Sequence, residues 1–258
     1  DRSGLKSPIY SFLVRSLDGI STVQAIGVNY SDDWGAKGKV TASYFFNRTD
    51  NRNTSQSDRQ TFTSTDKLVL YNDENRSKTL TLNHRFNSRI DYKFSDRHSV
   101  MMRTSFSLQD NNSRNELRSR TDNKFSDDDI RFVYRRRNFG HNNSDGYNVS
   151  NYLLYRYRLP GAKSHNLTVG AGGTYRSYEQ LSRPRQYTFR DPDNIECDTS
   201  DYSSRNITRT DRDQPGYDVN GNVSYTRSLS KRSRLSCEYR INYTDNSVER
   251  NTFVLTKE

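Results

Sequence analysis

Residues Leu80–Phe94 read LTLNHRFNSRIDYKF, and their spacing decides the fold. The even positions are Leu80, Leu82, His84, Phe86, Ser88, Ile90, Tyr92 and Phe94, of which six are apolar or aromatic. The odd positions, Thr81, Asn83, Arg85, Asn87, Arg89, Asp91 and Lys93, include none. Successive side chains of a strand point to opposite faces, so this is a ribbon with one greasy face and one charged face. Helical spacing would scatter the same residues around an axis and leave no apolar stripe.

The pattern recurs along the chain. Val100, Met102, Phe106 and Leu108 alternate with polar residues, as do Tyr147, Val149, Leu153, Tyr155, Tyr157 and Leu159. Leu167, Val169, Ala171, Gly173 and Tyr175 follow, then Tyr217, Val219, Val223 and Tyr225. Leu235, Cys237, Tyr239, Ile241 and Tyr243 close the series. Weaker matches near the N-terminus use Ile26, Val28, Tyr30, Val40, Ala42, Tyr44 and Phe46. The expectation is an all-β, antiparallel, up-and-down meander of eight long strands. They lie near 20–30, 38–48, 78–94, 99–109, 147–159, 165–177, 216–229 and 234–244.

Connections alternate in length. Short links at 31–37 (SDDWGAK), 95–98 (SDRH), 160–164 (PGAKS) and 230–233 (SKRS) carry turn-forming Asp, Gly, Pro or Ser. Long links are expected at 49–77, 110–146, 177–215 and 245–258, rich in Asn, Asp, Arg and Ser and too polar to build a core. Structureless loops of that length would argue against strands in a compact soluble domain. Outer-membrane barrels, by contrast, have short periplasmic turns at one end and long extracellular loops at the other. The whole of 1–258 is therefore expected to be a partial barrel domain, with 1–19 a preceding loop.

Composition agrees once the two faces are separated. Mean hydropathy is −1.10, and 30% hydrophobic residues would suit a solvated chain, yet 12% are aromatic, with 18 Tyr. A barrel reconciles the two, because only one face of each strand meets lipid. No run approaches the ~20 apolar residues of a membrane helix. The start, DRSGLKSPIY, lacks the basic and apolar pattern of a signal peptide, and the end, Leu255–Glu258, lacks a terminal aromatic strand. The chain is expected to be a piece of a longer barrel, because an isolated piece would expose two unpaired edge strands to lipid.

The N-terminal hairpin carries a resemblance. Phe12-Leu13-Val14, Asp18-Gly19-Ile20-Ser21-Thr22, Gly27-Val28-Asn29-Tyr30-Ser31-Asp32-Asp33-Trp34-Gly35 and Ser43-Tyr44-Phe45-Phe46-Asn47 stand in order over about the first 50 residues. This run resembles the Bacteroidetes outer-membrane β-barrel family, which is TonB-dependent-receptor-like. Ala42 departs from the glycine expected before Ser-Tyr-Phe-Phe. The resemblance implies a larger barrel with a plug, import of a nutrient or other ligand, and TonB as a partner through regions absent here. The same strands would serve a non-transporting surface adhesin or assembly barrel.

Two residue sets follow from the alternation. Arg85, Arg89, Arg103, Arg156, Glu238 and Arg240 are expected to face an aqueous lumen. Tyr and Trp favour membrane interfaces, where the ring meets acyl chains and the polar atom meets water. Tyr30, Trp34, Tyr92, Phe94, Tyr155 and Tyr157 flank short turns and would form one girdle. Tyr44, Phe46, Tyr147, Tyr217 and Tyr243 lie at the opposite strand ends and would form the other.

A net charge of +10 raises nucleic acid as a partner, but the cations are spread over every polar face, and Arg135-Arg136-Arg137 is the one tight cluster. Loops beside anionic lipopolysaccharide and a solvated lumen are the plainer account, so outer-membrane lipid, lipopolysaccharide and the remaining barrel strands are the expected partners. No enzyme, metal or cofactor is expected: His84, His98, His141 and His165 lack ligand spacing, and no nucleophile or phosphate-loop motif occurs. Asp127-Asp128-Asp129 and Asp191-Pro192-Asp193-Asn194 read as solvated turns more simply than as Ca²⁺ loops. Gly170-Ala171-Gly172-Gly173 lies within a strand, where glycines relieve crowding. Cys197 and Cys237 fall on opposite sides of a ~25 Å apolar band and are expected to be free thiols.

Overall fold

Period-two alternation is realised as strand along almost the whole chain. The computed structural model describes residues 19–64, 67–126, 128–160, 165–229 and 233–255. Apart from Gly19, the segment 1–19 lies outside them, as do Asp127 and most of the turns at 160–164 and 230–233. Among the described residues eleven strands run in order: β1 (Ile20–Trp34), β2 (Gly38–Ser64), β3 (Lys67–Lys93), β4 (His98–Lys124), β5 (Ile130–Arg158), β6 (Asn166–Ser182), β7 (Arg185–Phe189), β8 (Ser204–Asp213), β9 (Gly216–Ser228), β10 (Arg234–Asn246) and β11 (Glu249–Val254). All their pairings are antiparallel.

The expected eight-strand meander is present as β1-β2-β3-β4-β5-β6-β9-β10. The other three strands form an upper insert. β7 pairs with β5 at Arg135–Phe139, β8 bridges β7 and the tip of β6, and β11 pairs with β8.

The expected long loops are corrected. The segments 49–77, 110–146 and 177–215 are mostly paired strand, and 245–258 contains β11. β2, β3 and β4 each have 27 residues and β5 has 29. At ~3.3 Å per residue they reach about 90 Å, far beyond a ~25 Å apolar band. Polarity was a poor guide because a ladder depends on backbone pairing, which the short turns set in register. Cross-strand pairs then replace apolar packing. Thr79 and Ser113 hydroxyls lie 3.1 Å apart, and Asn112 donates to Asn143 Oδ1 at 2.8 Å. Carboxylates also hold arginines two residues along the same strand, as in Glu74–Arg76 at 2.7 Å and Glu116–Arg118 at 2.9 Å.

The two short turns among the described residues are tighter than expected. The link at 31–37 shrinks to Gly35–Lys37, because Ser31–Trp34 remain in β1. Gly35 has φ 64°, the left-handed conformation the turn needs, and its N–H donates to Asp33 O at 3.0 Å. At 95–98, His98 already opens β4, and its N–H donates to Ser95 O at 3.3 Å.

Candidate functional site: two faces of one wall

Residues directly opposite in an antiparallel ladder share a face, so the register sorts every side chain. One row crosses the meander as Val40–Ile90–Met102–Leu153–Ala171–Gly221–Ile241. A second runs Val28–Tyr44–Phe86–Phe106–Val149–Tyr175–Tyr217. Val40 is buried, but most large apolar side chains on this face stand open, with Ile241 59% and Tyr239 69% exposed. On β3 the band from Leu82 to Tyr92 covers 11 residues, the length a tilted strand needs to cross a bilayer.

Aromatic side chains collect by the short turns and again in the rows of Phe86 and His84. By the short turns, Trp34 stands opposite Gly38, and Tyr92 meets Phe94 edge-on at 5.0 Å. Tyr157 stacks on His98 at 4.7 Å, and Tyr155 OH lies 2.5 Å from His98 Nδ1. Tyr30 OH donates to Asp32 at 2.9 Å. Farther from the turns, Tyr44 OH is 2.8 Å from His84 Nδ1, and Phe46 lies 4.9 Å from the same ring. Tyr147 and Tyr175 approach to 5.8 Å, and Tyr217 and Tyr243 to 5.9 Å. His84 and His98 thus belong to the aromatic rows.

The opposite face holds all six expected lumen residues and joins some of them. Arg89 and Arg103 are direct partners, and Arg103 also pairs with Tyr152. Arg89 Nε donates to Asp91 at 2.5 Å, with Arg103 and Arg156 in electrostatic reach of the same carboxylate. Arg85 lies between Phe45 and Ser107. Glu238 and Arg240 form their own pair at 2.9 Å on β10 and do not join this group.

Sequence reading missed four residues here. Met101 and Leu154 are directly paired and buried on the charged face. Their signal was the doublets Met101-Met102 and Leu153-Leu154, since two adjacent apolar residues put one on each face. Tyr152 donates to Asn222 Oδ1 at 2.9 Å and lies over Gly170 and Gly172, where a Cβ would collide with its ring or hydroxyl. The glycine run makes room for this tyrosine.

Above the band, β5 anchors the segment after β7. Arg135 Nη1 donates to Pro192 O at 2.9 Å, and Arg137 donates to Glu116 at 2.8 Å and Cys197 O at 3.4 Å. Arg136 takes the other face and sits over Tyr134 at 4.4 Å. The triple-arginine cluster is thus spent largely on internal contacts. Burial pushes Glu116 upward, but hydrogen bonds from Arg118 and Arg137 outweigh it and hold its carboxyl below the ordinary value. Burial pushes the Cys197 thiol up. Cys197 is buried, Cys237 is exposed, and both are free.

No family model and no curated protein matches the chain. Among solved structures, the chain is similar to Pseudomonas aeruginosa OccK2 (OpdF) at 10% identity and TM-score 0.13, covering 91% of this chain and 97% of that one. The siderophore receptor PiuA of Acinetobacter baumannii gives 7% identity and TM-score 0.18, covering 90% of this chain and 46% of the receptor. TM-scores this low carry no argument, and the two faces of the sheet carry the assignment instead.

Proposed function

We infer that this chain is wall of a bacterial outer-membrane β-barrel, belonging to a TonB-dependent-receptor-like importer of the Bacteroidetes type. The observation that carries the reading is the register, which runs without a shift through the apolar band. It keeps one face apolar across eight strands and the other rich in arginine. Lipid solvates the first, and lumen water solvates the second. Arg85, Arg89, Arg103 and Arg156 give the lumen a positive field that favours anionic or polyanionic ligands. The ligand, the plug and TonB engagement follow from the family resemblance.

The wall far above the apolar band favours a second reading, a surface adhesin or assembly barrel that displays this sheet. Uptake separates the two. Cells with and without the intact gene are compared across a nutrient panel, with the energising inner-membrane complex present or deleted. Uptake that requires both supports import. Unchanged uptake together with lost surface adhesion would overturn import in favour of display.

A further inference from the structure

A row of three cations, ending on His141, crosses four strands just beyond the apolar band. Arg52 pairs with Lys78, Lys78 with Arg114, and Arg114 with His141. Between this row and the band, the ladders of β2 to β5 have no register shift, so the row shares the face of Tyr44, Phe86 and Phe106. Lys78 stands two residues past Leu80. On the barrel reading, this places the row outside the wall, at the height of the lipid headgroups.

We propose that this row binds a phosphate-bearing glycolipid of the surrounding outer leaflet. The inference rests on the barrel reading and names a lipid partner for it. Like charges directly opposite on a sheet repel, so three successive cations call for a counter-anion. The protein supplies little of one. The cavity over the row holds about 660 Å³ and also receives Arg76, Arg183 and Arg185. Glu116 is the one carboxylate lining it among the described residues, and Arg118 and Arg137 already occupy that group. Asp50 reaches Arg52 only at 3.5 Å and Lys78 only at 3.9 Å. Arg114, Arg183 and Arg185 form no ion pair among the described residues.

The ligand chemistry follows. Guanidinium and ammonium groups bind phosphate oxygens through charge-assisted hydrogen bonds. Phe139 and Tyr187, edge-on at 6.2 Å, add an apolar wall suited to the carbon face of a sugar. A site for a transported solute would need the opposite face. This one continues the lipid face, so the anion it meets is carried on an acyl anchor.

The test uses the intact barrel purified in detergent. It is titrated with a bis-phosphorylated glucosamine-disaccharide lipid, the same lipid without phosphates, or inorganic phosphate, and bound lipid is counted by native mass spectrometry. The phosphorylated lipid should bind in stoichiometric amount, weaken with salt, and lose about 25-fold in affinity in Lys78→Gln/Arg114→Gln. Arg136→Gln, on the other face, should bind like wild type. Insertion into vesicles is scored in parallel, and if the double variant inserts poorly, Lys78→Gln alone should lose about fivefold. Equal binding of the dephosphorylated lipid, equal affinity for inorganic phosphate, or unchanged binding in an inserted variant would each overturn the headgroup site and leave the barrel standing. A wild-type protein that never inserts would overturn the barrel reading, and this site with it.

Discussion

At Ile241 the backbone of β10 holds a side chain against Gly221, in the same cross-strand row as Ile90, Met102 and Leu153. Asn242, one residue on, faces Asn220 on the charged side. Ile241→Arg should weaken folding into bilayers by about 2–4 kcal/mol, because lipid cannot solvate a guanidinium, and Asn242→Arg should cost far less. Refolding of the intact barrel into vesicles at a fixed protein-to-lipid ratio measures both, and equal losses would reverse the inside–outside assignment. Tyr152 offers a second residue-scale test. Tyr152→Phe removes one hydrogen bond to Asn222 and should destabilise by about 1 kcal/mol. Gly170→Ala forces a Cβ into Asn222 Oδ1 and the Tyr152 hydroxyl and should cost about 1–3 kcal/mol. In the Tyr152→Ala/Asn222→Ala background, which removes both obstacles, that extra cost should vanish, and urea-unfolding midpoints in vesicles would show whether it does.

The segment between β7 and β8 depends on Arg137, which joins Glu116 on β4 to Cys197 O. Glu116 is held below its ordinary value when folded, so its contribution is fully present above the unfolded carboxylate value near ~4.3. It fades as pH falls through the lower folded value. Protection factors for amide exchange at Phe189–Cys197, taken relative to the intrinsic rate at each pH, should therefore fall selectively in strongly acidic buffer, and Glu116→Gln should show the lowered protection at neutral pH. Protection unchanged in both would remove Glu116 from the anchor. The same elements mark what the sequence disclosed. The lower halves of the strands, their faces and the Gly35 turn were legible because apolar residues alternate there. The upper halves were not, since β2 from Thr49 to Arg59 is polar at every position and leaves hydrophobic period silent. Arg89 and Arg103 were legible as lumen candidates, and the Arg89–Asp91 pair lies within one strand, but the meeting of Arg103 with Arg89 and Tyr152 depends on register, which no single strand contains.

For the whole molecule, the meander ends on β1 and β10, whose outer edges make no strand pairing among the described residues. Together with the open apolar face, this makes water a poor solvent for the chain. The chain should need detergent or lipid to remain dispersed, as light scattering would show. A monodisperse species in plain buffer would favour a soluble β-protein. The silent upper halves also bear on how the wall assembles. A slip of two residues there exchanges polar neighbours for polar neighbours and meets little penalty, whereas in the lower halves it misplaces the aromatic rows. Alignment information is therefore concentrated near the short turns, whose closure is also the fastest step open to the chain. Hairpins should zip from those turns outward, with the tips near Phe62 and Val69 joining last. Changes at the turns would then slow assembly, and changes at the tips would mainly hasten its reversal.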